Sequence, residues 1–511
     1  MTQLLKPINF ITPSHFLKST PYFNTFTTTR RINVFQPTEE QLAIVRAATE
    51  TADNLLVQAL AGAAKTSTLV LLAEALPDIE ILCLAFNKKI AIEMQERLPP
   101  NCKAMTLNGL GHRTWMDATG RRLSVDKDKT YNILTALVED LSQSDKSEIY
   151  PVMGELLRTI TFGKACGFIP DDHFERGKRL MGTADFFDHL DQKFSSLEQD
   201  LIVAATCESI KQALAGKIDF DDQIFMPTLF HGAFPRYQLT LVDEAQDLSA
   251  LNHATLRKMV GTRRLIAVGD SRQAIYGFRG AHEDSMNKLR KEFSMKELFL
   301  STTFRCPQAI VDHALWRAPH MKAFRPGGSV THLVQWNSED LPAEAFVLCR
   351  NNAPLFRTAL WLLKKGRHVE LASGDVAKTL HKVMVKFGQR SMHQADVISA
   401  IARWEEKEKA KVKERAWGTI QDKAECMAVF AETGPTLGDA LAYINHLINS
   451  SGPTKLLTIH KGKGLEADHV FILDAGLIGD DLQEPNLRYV AITRAKESLT
   501  YITTDGYCQP S

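Results

Sequence analysis

The chain has 511 residues, of which 44% are hydrophobic and 24% are charged, and its 61 basic and 60 acidic side chains give a formal charge of +1. These values are ordinary for a soluble globular protein of more than one domain. They exclude a single small module, a wholly disordered chain and a multi-span membrane protein. Because the net charge is close to zero, any site for a polyanion must be a local groove. The eight cysteines include no CxxC pair, so they suit a reducing compartment and provide no zinc or iron–sulfur spacing.

The first 38 residues contain several basic and many hydroxyl side chains but no Asp or Glu. We predict that residues 1–35 form a disordered N-terminal tail. A mitochondrial transit peptide has the same bias in composition and stays open as the less favoured alternative. Otherwise we expect a cytoplasmic protein of bacterial or viral origin, or a nuclear protein.

From Pro37 onward, short apolar runs alternate with helical patterns, which predicts an α/β fold built on parallel sheets. Ligands of such sheets bind beyond the carboxyl ends of the strands, so the residues after each strand are candidates for function. The predicted strands are 54–59, 81–85, 239–242, 265–268, 346–348, 456–458 and 470–473. Two stretches with few strand signals are predicted to be helical insertions, namely 113–217 and 385–450.

A loop of small residues, then Lys65 and Thr66, follows the first predicted strand. A phosphate loop needs main-chain N–H groups at a helix N-terminus, a lysine for the β- and γ-phosphates and a hydroxyl for Mg²⁺. The strict GxxxxGK[ST] pattern is not met, because Ala59 and Ala64 replace its two glycines. A Cβ atom at position 64 is compatible with this loop only if the local φ is negative. The predicted ATP-binding loop consists of Ala61, Gly62, Ala63, Ala64, Lys65, Thr66 and Ser67.

Two adjacent carboxylates, Asp243 and Glu244, follow the apolar strand 239–242. In a Walker B arrangement, one acid binds Mg²⁺ and the next orients the attacking water. An acidic helix N-cap is the structural alternative, but the phosphate loop upstream favours the catalytic interpretation. We therefore predict that Thr66 and Asp243 bind Mg²⁺ and that Glu244 is the general base.

Further tracts complete an ordered set of motifs between about residues 36 and 500. They are VDEAQD at 242–247, VGDSRQAIYGFRGA at 268–281, TFRCP at 303–307, TIHKGKGLE at 458–466 and YVAITRAK at 489–496. Together they closely resemble the UvrD/Rep type of superfamily 1 DNA helicase. The tract ELASGDV at 370–376 is similar to compact members such as the F-box DNA helicases and phage relatives. The resemblance implies two RecA-like cores, with ATP between them and single-stranded DNA across their top.

The resemblance also implies roles for residues outside the phosphate loop. Gln41 would read the adenine edge, Phe304 would stack on the adenine ring, and Glu466 would bind the ribose or a nearby loop. Gln273 would couple the γ-phosphate to DNA, and two arginine fingers would come from the second core. The implied catalytic residues are Glu244, Gln273, Arg305 and Arg494. The implied DNA-binding residues are Phe86, Asn87, Lys88, His112, Tyr276, Phe278, Arg279 and His460.

The domain boundaries follow from the same resemblance. The first core comprises 36–112 and 218–290 around the insertion 113–217, and the second comprises 291–384 and 451–511 around the reduced insertion 385–450. We expect a monomeric, ATP- and Mg²⁺-dependent DNA helicase that moves 3′-to-5′ on single-stranded DNA and unwinds duplex DNA. Its expected binding partners are single-stranded DNA and DNA junctions, and we expect no association with a membrane. Its expected partners are unidentified proteins of DNA repair, replication or recombination. Two alternatives stay open, namely an ATP-sensing DNA-binding protein with impaired hydrolysis and a translocase that displaces proteins but unwinds weakly.

Overall fold

The computed structural model describes residues 36–171, 173–174, 177–190, 192–275, 284–412, 414, 417–480 and 483–506. The predicted tail 1–35 lies outside the described residues. The described residues from Glu39 onward form one compact unit. Within the described part of the chain, no helix combines the length and the apolar character that crossing a membrane requires.

Strands and helices alternate along most of this unit. The strands are β1 (Leu55–Ala59), β2 (Ile81–Ala85), β3 (Cys102–Thr106), β4 (Ser124–Val125), β5 (Lys217–Ile218), β6 (Leu239–Val242), β7 (Arg264–Gly269), β8 (Lys296–Leu300), β9 (Thr302–Thr303), β10 (Lys322–Ala323), β11 (Ser329–His332), β12 (Phe346–Cys349), β13 (Val369–Leu371), β14 (Thr454–Thr458), β15 (Ala467–Leu473) and β16 (Ala495–Ile502). The helices are α1 (Glu39–Glu50), α2 (Lys65–Glu74), α3 (Lys88–Arg97), α4 (Leu107–Thr119), α5 (Lys129–Glu139), α6 (Gln143–Ile149), α7 (Met153–Cys166), α8 (Thr183–His189), α9 (Ser196–Leu214), α10 (Asp222–Leu229), α11 (Ala250–Val260), α12 (Ser285–Glu292), α13 (Gln308–Ala314), α14 (Asn352–Lys364), α15 (Gly374–Met384), α16 (Gln394–Lys409), α17 (Trp417–Ala431), α18 (Leu437–Ile448), α19 (Ile459–Gly462) and α20 (Glu484–Ile492).

Two six-stranded sheets organise the molecule. The first has the strand order β3-β2-β6-β7-β1-β8, and the second has the order β11-β16-β15-β12-β14-β13. All neighbouring strands in both sheets run parallel. The predicted α/β class with parallel sheets is therefore confirmed.

All seven predicted strands are present, and 81–85 and 239–242 have the predicted bounds. The longer strands that the sequence analysis missed are β3, β8, β11, β13 and β16. Most of them carry Lys, Glu, Ser or Thr among their apolar residues and are partly exposed, as in β8 and β11. Their apolar runs are consequently too short to be recognised without the neighbouring strands.

The first sheet extends further along the chain than predicted. Strand β8 pairs with β1 over its whole length, from Leu55 opposite Lys296 to Ala59 opposite Leu300. The predicted boundary at residue 290 is therefore too early, because the last strand of the first sheet follows it. The other predicted boundaries between cores and insertions stay predictions.

Both predicted helical stretches consist largely of helices. The stretch 113–217 contains α5 to α9, which enclose their own apolar cluster. The stretch 385–450 contains α16 to α18, and these helices share one cluster with β12 and β14 of the second sheet. Within that cluster, the rings of Phe356 and Phe430 lie 5.1 Å apart. The second stretch thus covers a face of the second sheet, and burying each such aromatic side chain stabilises this packing by about 1.5–3 kcal/mol.

A buried group of charges joins α5 and α7 to the start of α10 and the residues just before it. Lys129 Nζ lies 2.5 Å from Asp222 Oδ2, and Lys164 Nζ lies 2.6 Å from Asp219 Oδ2 and 2.8 Å from Asp222 Oδ1. Each of the four side chains is at most 8% exposed. Two cations and two anions balance here, as buried charges require.

Candidate nucleotide-binding site

The phosphate loop connects β1, near one edge of the first sheet, to α2. Helix α2 begins at Lys65, so its first free N–H groups face the loop, where an anion is favoured. Ala64 precedes the helix with φ 56° and ψ 41°, in the left-handed region. The negative φ expected at this position is therefore wrong. The loop adopts a conformation suited to glycine although it carries a Cβ atom, at a cost of about 1–2 kcal/mol.

Gly62 meets the segment that follows the first sheet. It has φ 71°, and a Cβ atom here would lie 2.6 Å from both Arg305 Cβ and Thr303 Oγ1. The N–H of Phe304 donates to the carbonyl of Gly62 at 2.9 Å. Only glycine fits this close approach, which places the loop directly against the TFRCP tract.

The carboxylates after β6 lie beside the loop lysine. Lys65 Nζ donates to Glu244 Oε2 at 3.0 Å, and Gln246 Nε2 donates to the same oxygen at 2.5 Å. Burial acts to raise the pKa of Glu244, but the charge of Lys65 and the Gln246 amide outweigh it and lower that pKa. Burial and then the charge of Glu244 raise the pKa of Asp243. Glu244 is thus the ionised member of the pair, while Asp243 retains its proton to a higher pH than an ordinary aspartate.

The predicted Mg²⁺ residues offer the right donors but too few of them. Thr66 and Asp243 supply a hydroxyl and a carboxylate, the hard oxygen ligands that Mg²⁺ requires. Among the described residues, no group of three or more His, Cys, Asp or Glu side chains is arranged to hold a metal ion. A Mg²⁺ ion at Thr66 and Asp243 therefore fits if nucleotide phosphates and water complete its octahedron.

Two arginines from the second half of the chain reach the same place. Arg305 Nε donates to Glu466 Oε2 at 2.7 Å, so Glu466 holds Arg305 in this structure. The guanidinium of Arg494 is buried and donates to Gln273 Oε1 at 3.3 Å. Burial, and then the charge of Arg305, lower the pKa of Arg494 to about 9. Gln273 therefore links the end of β7 to an arginine of the second core.

Lys463, to which the sequence analysis assigned no role, also joins the two cores. Its Nζ atom lies 2.7 Å from each carboxylate oxygen of Asp247 and donates to the carbonyl of Gln273 at 2.6 Å. Burial raises the pKa of Asp247 to about 6, although Lys463 acts to lower it. Lys463 lies in the TIHKGKGLE tract, whereas Asp247 and Gln273 follow strands β6 and β7 of the first sheet. The tract by itself therefore gives no sign of these contacts.

These groups line a cleft of about 1160 Å³. Residues 62–67, Glu244 and Gln273 line it from the first core, and Arg305, Lys463 and Arg494 line it from the second half of the chain. At one side, the rings of Phe304 and Phe324 lie 4.7 Å apart at 40°. Phe324 is 65% exposed and follows a two-residue strand, so no sequence signal distinguishes it. The pair offers an aromatic surface to a nucleobase.

Gln41 is placed differently from the expectation. Its side chain is 1% exposed, and Nε2 donates to Thr68 Oγ1 of α2 at 3.0 Å. Gln41 is not among the described residues that line the cleft. Contact between this amide and an adenine edge therefore requires its side chain to move.

Comparison with known protein families agrees with the arrangement of the motifs. The UvrD/REP helicase N-terminal domain matches residues 38–294, and the UvrD-like helicase C-terminal domain matches residues 455–502. The chain belongs to the UvrD/Rep helicase family. The resemblance seen in the sequence is thereby confirmed.

Individual relatives within the UvrD/Rep family are distant. DNA helicase II of Haemophilus influenzae is 25% identical over 51% of this chain and 38% of its own length. F-box DNA helicase 1 of Gallus gallus is 26% identical over 90% of this chain and 48% of its own length. F-box DNA helicase protein 1 of Schizosaccharomyces pombe is 24% identical, covering 90% of this chain and 57% of its own length. The chain thus spans less than two thirds of the length of these relatives.

The predicted DNA-binding residues of this UvrD/Rep family chain lie in several places. Phe86 and Asn87 line the nucleotide cleft, and Asn87 Oδ1 accepts from Ile90 N at 2.9 Å as the cap of α3. Lys88 is exposed at the first position of that helix. His112 lies in α4, which follows β3, and His460 lies in α19, which follows β14. Tyr276, Phe278 and Arg279 lie outside the described residues.

Proposed function

We propose that the chain is an ATP-dependent motor that moves 3′-to-5′ along single-stranded DNA and separates duplex DNA. The observation that carries this proposal is one cleft lined by Lys65, Thr66, Glu244, Arg305 and Arg494. A site that only binds nucleotide does not need a general base and two arginines from the other core. Polarity and the DNA substrate rest on the family resemblance.

The hydrolysis step follows from the contacts in the cleft. When the nucleotide phosphates take Lys65 as their partner, Glu244 loses its 3.0 Å contact with that lysine. Its carboxylate, still bonded to Gln246, can then orient the attacking water and accept its proton. Arg305 and Arg494 stabilise the charge that develops on the transferred phosphoryl group. A Mg²⁺ ion at Thr66 and Asp243 supplies further charge stabilisation when bound.

Movement on DNA requires that the two cores respond to the nucleotide. Arg494 contacts Gln273, and Lys463 contacts Asp247 and Gln273. The second core therefore contacts the segments that follow β6 and β7 of the first core. A nucleotide that contacts both cores favours their closed arrangement, and its hydrolysis removes that preference. Alternate gripping of the strand by the two cores then moves the protein along it.

The direct test measures ATP turnover with and without single-stranded DNA. We expect strong stimulation by DNA, and we expect Lys65→Ala to abolish turnover while the affinity for DNA is retained. Lys455→Ala, a lysine of β14 that pairs with Glu370 outside the cleft, is the matched control and should retain turnover. Turnover that persists in Lys65→Ala would falsify the assignment of the phosphate loop.

A second candidate is a translocase that displaces proteins but unwinds weakly. It is supported by the packing of α16, α17 and α18 onto the second sheet, where they share its apolar cluster. Helices that are packed against the sheet in this way are less able to move as a separate subdomain at a DNA junction. Unwinding of a forked duplex, compared with displacement of streptavidin from biotinylated single-stranded DNA, separates the two candidates. The proposed state is a monomer on single-stranded DNA or a junction.

A further inference from the structure

One hydrogen bond joins the phosphate loop to helix α20 of the second core. The N–H of Ala61 donates to the phenolic oxygen of Tyr489 at 3.1 Å, across 428 positions of the chain. Both residues are 0% exposed. A buried N–H group without a partner is costly, so this contact is the means by which the Ala61 amide is satisfied.

The surroundings of this bond also connect the two cores. Leu60 and Ala61 belong to one apolar cluster with Ile459, Leu487 and Val490 of the second core. On the next residue, the carbonyl of Gly62 accepts from Phe304 N at 2.9 Å. The first half of the loop is therefore held from outside the first sheet, and its second half continues into α2.

We propose that Tyr489 is a positioning residue of the phosphate loop, whose phenolic oxygen holds the Ala61 amide and so sets the loop in its phosphate-binding shape. This inference rests on the proposed function. Tyr489 lies in helix α20, which ends at Ile492, two residues before Arg494. One rigid element thus positions both the loop that binds the phosphates and the arginine that contacts Gln273. A shift of α20 moves both together, which couples closure of the cores to the shape of the loop.

The test uses the full chain with Tyr489→Phe, which keeps the buried ring and removes only the oxygen. The KM for ATP should rise about two- to ten-fold, the effect of one neutral hydrogen bond. The kcat at saturating ATP should change less than KM. Amide hydrogen exchange should become faster in the peptide that contains Ala61 and stay unchanged in a peptide of β2 and α3. Tyr501→Phe is the matched control, because that hydroxyl contacts His313 at 2.6 Å and lies outside the cleft.

Each other outcome overturns the inference. Unchanged exchange at Ala61 would show that the bond does not hold the loop. Faster exchange with an unchanged KM would show that the contact does not position the loop for nucleotide. Faster exchange throughout the second core would indicate general destabilisation. If the native chain hydrolyses no ATP, the proposed function fails, whereas the exchange measurement still decides whether Tyr489 holds the loop.

Discussion

Ala64 stands where the phosphate-loop pattern has glycine, and it still adopts a backbone conformation that glycine favours. Its φ of 56° is a conformation that glycine adopts readily and alanine does not. The loop still leads into α2 at Lys65, so the strained residue retains the geometry that the phosphate site needs. The substitution therefore bears on stability more directly than on the presence of the site.

Replacing this alanine should stabilise the protein. Ala64→Gly removes the steric cost of a Cβ atom at positive φ and should raise the free energy of unfolding by about 0.5–1 kcal/mol. Urea unfolding monitored by circular dichroism measures the change. Ala63→Gly is the control, since position 63 is not among the described residues with positive φ, and there glycine should lower stability. Equal effects at the two positions would contradict the strain at Ala64.

At the scale of elements, the helical stretch 113–217 depends on a buried charge group as well as an apolar core. Lys164 contacts Asp219, which precedes α10, and Asp222, the first residue of α10, so the group fastens α7 to a segment more than fifty residues later. Burial acts to raise the pKa of Asp219, but the charge and hydrogen bond of Lys164, together with the charge of Lys129 and the Asp222 N–H, outweigh it and lower that pKa from 3.8 to about 2. The ionised form of Asp219 therefore stabilises the folded state.

This shift predicts a particular pH dependence. A carboxyl whose pKa is lower in the folded state stabilises the protein above its unfolded pKa, and the contribution is lost as pH falls through the folded pKa. Between about pH 4 and pH 2 the native chain should lose roughly 2 kcal/mol from this group. Asp219→Asn should be less stable at neutral pH and should lack this part of the acid dependence.

Chemical unfolding at several pH values provides the measurement. Asp117→Asn, at an exposed aspartate of α4, is the control and should follow the native curve. An unchanged acid dependence in Asp219→Asn would mean that other carboxyls account for the acid sensitivity of this chain.

At the scale of the whole molecule, polar side chains join the two cores beside the apolar cluster that the cores share. Gln273 receives a hydrogen bond from Arg494, donates to Asp270 Oδ2 at 2.7 Å, and accepts from Lys463 through its carbonyl. Its side chain is 5% exposed. Gln273 is thus a junction between the two cores as well as a residue of the cleft.

Removing this junction should uncouple DNA from ATP turnover. Gln273→Ala deletes a hydrogen bond to a charged group, so turnover in the presence of single-stranded DNA should fall about 10- to 100-fold. Turnover without DNA and the affinity for DNA should change much less. Gln308→Ala, at a glutamine of α13 that contacts Asp312, is the control outside the cleft. A loss of DNA affinity as large as the loss of turnover would contradict the coupling role.

The amino-acid sequence by itself determined the α/β class, the central strands and the groups that lie next to one another along the chain. Strand β6 with Asp243 and Glu244, and β1 with the phosphate loop, are recognisable because apolar runs and the residues after them are local features. The motif order also identified the UvrD/Rep family. The edge strand β8 escaped recognition because its residues are only half buried and pair with a strand 241 positions earlier.

The tertiary structure alone decided which of these groups meet across the cleft. Between the two cores, the pairing of Lys463 with Asp247 spans 216 positions and that of Ala61 with Tyr489 spans 428; on the second core's side of the cleft, Arg305 and Glu466 are 161 positions apart. No local pattern specifies such contacts, because they form only when segments far apart in the chain pack together. Tertiary contacts also place Phe324 beside Phe304 and turn Gln41 of α1 toward Thr68 of α2, which local periodicity does not reveal.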